Sequence, residues 1–300
     1  PHIVLVILLS FFFRNDFTPP EPLYQVIPQT SVDARGNLNQ VYPIQLPPGT
    51  KDIIPKLSLS YNSASGNGIL GMGWMLNGLD FIARDTSKGV ESYDSRYISS
   101  QAGTLELSAG SVYYPREFNF SKFILQADGS WLSIDKAGNK YYFGVSYGVK
   151  TTETDPLRND KIKIWPLEKV EDIYGNGYSI TYLAADSKSD GYPYPDKITY
   201  NNGNTVIQFA YATRSTNDTI ELYRYASKQR IIKRLDSITV TNNGSVIETY
   251  TLGYELGATS NSRLISINRD GYKPVSFSYN DNTIDVNGIT SSSSAVSPLN

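Results

Sequence analysis

Between residues 131 and 279 the chain repeats one pattern of apolar and polar positions. A strand of alternating apolar and polar residues leads through a glycine-containing turn into a second alternating strand that is rich in aromatic residues. Asn-Gly and Asp-Gly sequences tolerate the positive φ that tight hairpin turns require. The pattern predicts five antiparallel hairpins, and these must join a larger sheet because a lone hairpin is barely stable. Their turns contain Gly138, Gly175, Gly203, Gly244 and Gly271.

The composition agrees with a β fold. The chain has 23 tyrosines, a residue that favours strands, and its 23 glycines and 16 prolines supply turns between short strands. No segment between the two ends of the chain keeps apolar residues at the i, i+3, i+4, i+7 spacing of an amphipathic helix, so we expect no helix there. The sequence therefore predicts an all-β fold, in which repeated antiparallel hairpins form a large curved sheet.

The ends of the chain differ in composition from the middle. Residues 3–13 are apolar except for Ser10. As a helix this run would rise only about 16 Å, against about 30 Å for a bilayer core, so it suits a signal peptide better than a membrane span. We therefore expect a signal peptide with a truncated start at residues 1–17, a Pro-rich linker at 18–31, the β domain at 32–285 and a Ser-rich linker at 286–300. A strand of the core is the alternative for the apolar run.

Several kinds of chemistry are excluded by composition. The chain has no cysteine, and its one histidine, His2, lies in the apolar leader, so thiolate catalysis, Ser-His-Asp catalysis and Cys- or His-ligated zinc are excluded from the β domain. The net charge is -2, without the basic clusters that nucleic acid requires. A pair of carboxylates could still hydrolyse a glycoside, and Asp172, Asp196 and Asp236 are the candidates. Each lies beside a turn or a strand start, where a solvated role is favoured. We expect no enzyme activity, cofactor or metal.

One motif resembles a dinucleotide site. Gly66, Gly68 and Gly71 satisfy the G-x-G-x-x-G pattern after an alternating strand. A dinucleotide site requires a helix that begins at those glycines, whereas Gly73 and Trp74 follow here in poor helix sequence. We interpret the segment as a tight structural turn that directs Trp74 and the nearby Leu76 into the core. The structural residues are Gly66, Asn67, Gly68, Gly71, Gly73 and Trp74.

The same segment carries a family resemblance. The sequence PKLSLSYNSASGNGILGMGW at residues 55–74, preceded by LPPG at 46–49, resembles the opening of the SpvB N-terminal domain and of the B components of insecticidal toxin complexes. Weaker similarities are the G-x-L-x-L strand at 103–107 and the D-x-x-G-N hairpin that begins at Asp172, which is similar to Rhs/YD repeats. The resemblance extends over residues 32–279.

The resemblance implies a role without catalysis. In toxin-complex B components the corresponding region is part of a hollow Rhs/Tc-type β-shell that holds a toxic C-terminal fragment. The chain is then expected to be a module of a secreted, extracellular bacterial toxin. Its expected partners are other toxin subunits or downstream Rhs or toxin domains of the same polypeptide, with no nucleic acid and no membrane span.

Two other functions stay open. In SpvB-type toxins this domain precedes an ADP-ribosyltransferase, so the chain could be a fragment of such a toxin without its catalytic domain. The Glu-x-Glu pair that such a transferase requires is absent from the sequence. The chain could also be a surface adhesin or carbohydrate-binding protein, with exposed aromatic rings that stack on sugars. The candidates are Tyr113, Tyr114 and the tyrosines of the segments 192–194 and 223–225.

Overall fold

The computed structural model describes residues 28–89, 96–150, 161–225 and 227–279. The predicted signal peptide and the Ser-rich linker at 286–300 lie outside the described residues. Strand β1 begins at Gln29, inside the segment predicted as a Pro-rich linker. The remaining domain boundaries stay predictions.

The fold is all-β, as the sequence predicts. Its strands are β1 (Gln29–Val32), β2 (Leu38–Pro43), β3 (Ser58–Asn62), β4 (Asn67–Gly68), β5 (Gly71–Met72), β6 (Trp74–Asn77), β7 (Phe81–Arg84), β8 (Tyr97–Ser99), β9 (Gly103–Ala109), β10 (Val112–Pro115), β11 (Lys122–Leu125), β12 (Trp131–Ile134), β13 (Lys140–Phe143), β14 (Val149–Lys150), β15 (Ile162–Glu171) and β16 (Gly177–Tyr182). They continue with β17 (Pro195–Tyr200), β18 (Thr205–Thr213), β19 (Ile220–Arg224), β20 (Ser227–Ile231), β21 (Lys233–Asn242), β22 (Ser245–Leu256), β23 (Ser262–Arg269) and β24 (Val275–Ser276). A helix, α1 (Ala184–Asp190), joins β16 to β17.

Most of these strands belong to one continuous antiparallel sheet. Strands β7 to β13 pair in chain order, and β15 pairs with both β7 and β13, so this part of the sheet closes on itself. From β15 the sheet continues as an open surface in the order β16, β17, β18, β21, β22, β23 and β24. Strands β1, β2, β3 and β6 form a second sheet, and β19 pairs with β20 in a separate hairpin.

The closed part of the sheet surrounds an aromatic core. The ring centroids of Tyr97 and Trp131 are 4.8 Å apart, and those of Tyr113 and Trp131 are 5.0 Å apart. Trp165 lies 5.7 Å from Tyr97, and its Nε1 donates to the Gly129 carbonyl at 2.8 Å. Edge-to-face pairs of this kind are stabilising beyond the area that they bury. Tyr113, a candidate for sugar stacking, is therefore a core residue, and this part of the prediction is wrong.

The five predicted hairpins are confirmed. They are the pairs β12–β13, β15–β16, β17–β18, β21–β22 and β23–β24. The registers Glu171 to Lys140, Tyr178 to Tyr200, Thr205 to Asn242 and Tyr250 to Arg269 place their turns at the same end of the sheet. We call this end the turn end.

A D-x-x-G-N sequence forms the same turn three times, beginning at Asp33, Asp135 and Asp172. In each, one aspartate oxygen accepts the backbone N–H groups two and four residues later, and the other accepts the asparagine side chain at about 2.9 Å. Burial opposes ionisation of Asp135, but the hydrogen bonds from Asn139, Ala137 and Tyr141 together outweigh it and lower the pKa of the aspartate. The motif is thus a self-contained turn rather than a reactive group.

The helix α1 contradicts the expectation of no helix between the two ends of the chain. It has seven residues, of which only Ser187 and Asp190 are buried, so it carries no repeated apolar stripe that a sequence pattern could show. It ends at Gly191, whose φ is 66° and whose N–H donates to the Ser187 carbonyl. Among the described residues, no helix has the length and apolar character needed to cross a membrane.

Candidate functional site

The glycine motif forms a tight ribbon. Strands β4 and β5 pair through Gly68 and Gly71, and β6 follows directly. No helix begins at the glycines, so the segment lacks the helix N-terminus on which a dinucleotide phosphate would lie. The φ angles of Gly71 and Gly73 are +87° and +79°, in the left-handed region, whereas Gly66 lies outside it.

The ribbon fastens the N-terminal sheet to the open sheet. Asn67 Nδ2 donates to Asn261 Oδ1 at 2.9 Å, and the Leu235 amide of β21 donates to the Ile69 carbonyl at 2.8 Å. A Cβ atom at Gly71 would lie 2.5 Å from the carbonyl oxygen of Ser262, the first residue of β23. Only glycine permits this approach, so residues 67–71 connect the two sheets through these contacts with β21 and with Asn261 and Ser262. We call this connection the clasp.

The aromatic end of the motif is equally well anchored. Trp74 is 1% exposed, and its Nε1 donates to the Tyr279 hydroxyl at 2.8 Å. The Tyr279 hydroxyl donates in turn to the Leu264 carbonyl at 2.7 Å. The Trp74 ring packs 4.7 Å from Phe277, and Leu76 packs against the same core. Trp74 and Leu76 thus both pack in the core, while the structural role of the six motif residues stays a prediction.

A buried ion pair between Arg214 and Asp218 also fixes the position of the ribbon. Arg214 Nη1 donates to Asp218 Oδ1 at 2.9 Å, and both side chains are at most 1% exposed. Asp218 also accepts the Ser262 amide at 2.7 Å and the Ser262 hydroxyl at 2.5 Å. The second guanidinium nitrogen of Arg214 donates to the Gly68 carbonyl. Burial lowers the pKa of Arg214, while the adjacent carboxylate opposes that shift. One ion pair thus connects the ribbon to β23.

A cavity of about 340 Å³ lies between the motif and the β19–β20 hairpin. Residues 65–69 and 74–76 form one wall, residues of the hairpin form the opposite wall, and the ends of β15, β16 and β17 form the base. The hairpin is anchored, because the buried Lys163 Nζ donates to Ser227 Oγ at 3.0 Å and to the Lys228 carbonyl at 3.1 Å. Gln229 Nε2 of the hairpin donates to the Gly191 carbonyl at 3.1 Å. This is the candidate functional site.

Three tyrosines line the cavity. The Tyr182 hydroxyl donates to the Leu167 carbonyl at 2.7 Å. Burial raises the pKa of Tyr192 to about 12, although the Arg224 charge opposes the shift, and burial also raises the pKa of Tyr225. The φ of Tyr225 is +54°, a conformation that non-glycine residues seldom adopt and that positions this ring at the cavity.

Polar residues also line the cavity, among them Asp80, Asn67 and Arg224. Asp80 accepts the Ser100 hydroxyl at 3.0 Å and the Gln101 side-chain amide. Burial raises the pKa of Asp80, with both hydrogen bonds opposing the shift. Asn67 Oδ1 is buried and accepts no hydrogen bond, whereas the Arg224 side chain is exposed.

The structure unites some of the sequence candidates and separates others. Tyr192 and Tyr225 meet at the cavity, but Tyr194 is fully buried and Tyr223 is 76% exposed away from the lining. Tyr114 lies on the closed sheet, with its ring 6.1 Å from the Phe118 ring in a tilted arrangement. The sequence analysis missed Tyr182, Asp80 and Arg224, because no local pattern distinguishes them from other residues in or beside strands.

The three candidate carboxylates have separate environments. Asp172 accepts hydrogen bonds within its own turn. Asp196 accepts Gln208 Nε2 at 2.9 Å and the Thr181 hydroxyl at 3.2 Å, and Asp236 is exposed on β21. Over the part of the chain that the structure describes, no three acidic or histidine side chains are grouped as a metal site.

The comparisons with known proteins agree with this architecture. A family model described as SpvB, Salmonella virulence plasmid 65kDa B protein, matches residues 32–112. The fold is that of the SpvB and toxin-complex N-terminal domains, and the resemblance stated for residues 55–74 is confirmed. No curated protein matches the chain by sequence.

Individual solved structures have the same fold. The chain is similar to the N-terminal domain of effector protein SpvB from Salmonella typhimurium strain LT2, with a TM-score of 0.60, 18% identity, and coverage of 79% of this chain and 98% of that domain. It is similar to TcdB2-TccC3 (TM-score 0.66, 18% identity) and to the Photorhabdus luminescens Tc holotoxin pore (TM-score 0.67, 18% identity). Each of these two matches covers 84% of this chain but only 16% of the longer toxin chain.

Proposed function

We propose that this chain is a non-enzymatic structural module of a secreted bacterial toxin. In this role it contributes part of a β-shell, or presents a toxic C-terminal domain of the same polypeptide. The observation that carries the proposal is the match of 84% of the chain to a 16% segment of the TcdB2-TccC3 chain. A domain that matches one segment of a much longer chain is suited to act as one part of a larger assembly.

The sheet architecture supports a wall-forming role. Strand β15 belongs to both the closed and the open part of the sheet, so the two parts form one surface without a flexible linker. The carboxylates of Asp135 and Asp172 are used within turns, which leaves them bound rather than available for proton transfer. These features favour a continuous, chemically inert surface.

The sheet edges support partners from the same toxin. All four residues of β1 are exposed, and among the described strands β1 pairs only with β2. At the other end of the open sheet, the two-residue strand β24 pairs only with β23 among the described strands. Edge strands offer unpaired backbone groups to an added strand. Other toxin subunits, or Rhs-like segments of the same polypeptide, would extend the surface there.

Limited proteolysis tests the shell role. The natural polypeptide that contains this chain would be digested with trypsin. Two variants of it would be digested in parallel: Gly71→Ala, which disturbs the clasp, and Gly66→Ala, which is the matched control. We expect the segment enclosed by the shell to survive in the wild type and the control, and to be cut sooner in the Gly71 variant. A segment cut at the rate of a denatured peptide in all three would refute the role.

The enzymatic alternatives have their own test. The purified chain would be incubated with NAD⁺ and with a panel of glycosides, because SpvB-type toxins carry a transferase and a carboxylate pair could hydrolyse a glycoside. We expect no turnover of either. Turnover that disappears in Asp172→Asn or Asp196→Asn would overturn the non-enzymatic proposal.

A further inference from the structure

We propose that the cavity between the glycine motif and the β19–β20 hairpin binds a saccharide unit of a glycan. This function is separate from the shell role, which does not require the cavity to hold a ligand. The cavity volume of about 340 Å³ lies at the lower end of the range for small-molecule sites. It suits one or two sugar rings rather than a long polymer.

The aromatic lining matches the apolar faces of a sugar ring. Tyr182, Tyr192, Tyr225 and Trp74 all contribute to the walls. Aromatic faces carry partial negative charge, which attracts the C–H groups on one face of a pyranose. Leu222 and Ile231 of the hairpin complete an apolar surface around these rings.

The polar lining favours a ligand with hydroxyl groups. An apolar ligand would cover the half-buried Asp80 carboxylate and the Arg224 guanidinium, which is exposed in the free protein, without offering either a hydrogen bond, and a polar group that loses water without gaining a partner is unfavourable. Asp80 accepts hydrogen bonds, whereas Arg224 only donates. A sugar hydroxyl can do both, so one polyhydroxylated ring satisfies both groups.

The site is held in place before any ligand binds. The hairpin wall is anchored by Lys163 and Gln229, and the opposite wall is anchored by Arg214 and Asn261 through the clasp. A preformed site loses less conformational entropy when it binds a ligand than a flexible one does.

A glycan array followed by titration of the strongest binder tests the proposal. The folded chain would be compared with Arg224→Gln and Tyr225→Ala, which change the lining. The controls are Arg230→Gln and Tyr223→Ala, which change exposed residues of the same hairpin outside the lining. We expect each lining variant to weaken binding about tenfold, the value of one or two lost contacts, and each control to change it less than about twofold.

Tryptophan fluorescence gives a second readout, because Trp74 lines the cavity whereas Trp131 and Trp165 lie in the closed sheet. We expect a saturable change in emission with the binding sugar, and thermal unfolding of all variants would confirm that they are folded. An array on which the folded chain binds no glycan would overturn the proposal. Equal loss in the lining and control variants, or binding of a hydrophobic dye but of no sugar, would also overturn it. None of these outcomes affects the proteolysis test of the shell role.

Discussion

Replacing Gly71 with alanine should be among the most destabilising single-methyl changes in this protein. At a φ of +87° an L-residue costs about 1–2 kcal/mol relative to glycine. The added Cβ would also lie 2.5 Å from the Ser262 carbonyl oxygen. The start of β23 cannot yield easily, because Asp218 holds both the amide and the hydroxyl of Ser262. Overpacking against a fixed backbone adds about 1–3 kcal/mol, so we expect a total of about 2–5 kcal/mol.

Gly66→Ala is the matched control within the same motif. No atom lies within 4 Å of a Cβ at Gly66, and its φ is outside the left-handed region, so we expect a change below about 0.5 kcal/mol. Urea unfolding followed by tryptophan fluorescence gives both free energies from the midpoint and the slope. A Gly71→Ala variant as stable as the wild type would refute the stabilising role of the clasp. A Gly66→Ala variant that loses as much stability as Gly71→Ala would also refute it.

Three further predictions concern other contacts of the fold. Asp218→Ala should lower the free energy of unfolding, measured in urea, by about 3–5 kcal/mol, because it leaves the buried Arg214 guanidinium without its ion-pair partner. The double change Arg214→Met with Asp218→Leu should lower it less than Asp218→Ala alone. The folded state lowers the pKa of Asp135, so its contribution is present above the unfolded pKa of about 3.9 and is lost as the pH falls through the folded value. The stability difference between wild type and Asp135→Ala should therefore shrink on acidification, and a pH-independent difference would contradict this. Tyr194→Phe should cost about 1–3 kcal/mol and speed amide exchange in α1, because the hydroxyl donates to Asp190 Oδ2 at 2.8 Å.

The turn end of the sheet was predictable because each turn is local. The D-x-x-G-N sequences at Asp135 and Asp172 satisfy their own backbone groups within five residues, so the sequence contains the whole structure of the turn. Alternation then determines which side of each strand is buried. The glycine motif could be interpreted for a related reason, since Gly73 and Trp74 make poor sequence for the helix that a dinucleotide site requires.

The cavity could not be predicted, because its lining residues are distant in sequence. Asp80, Tyr182 and Arg224 come from the β6–β7 connection, β16 and β19, and only the pairing of β15 with β7 and the position of the β19–β20 hairpin bring them together. The sequence prediction that tyrosines stack on sugars included Tyr192 and Tyr225, but it could not distinguish them from the buried Tyr194. Burial depends on long-range packing rather than on residue type.

The location of the cavity follows from how the open sheet is connected. At the turn end, consecutive strands are joined by short hairpin turns. At the opposite end, the chain makes its longer excursions, through α1 between β16 and β17 and through the β19–β20 hairpin between β18 and β21. The clasp lies at this end too, since it contacts Asn261 and Ser262 at the start of β23. Longer connections leave space that short turns do not, so a binding site is expected where they converge. Substitutions in the turns should therefore alter folding while saccharide binding by the folded protein stays unchanged.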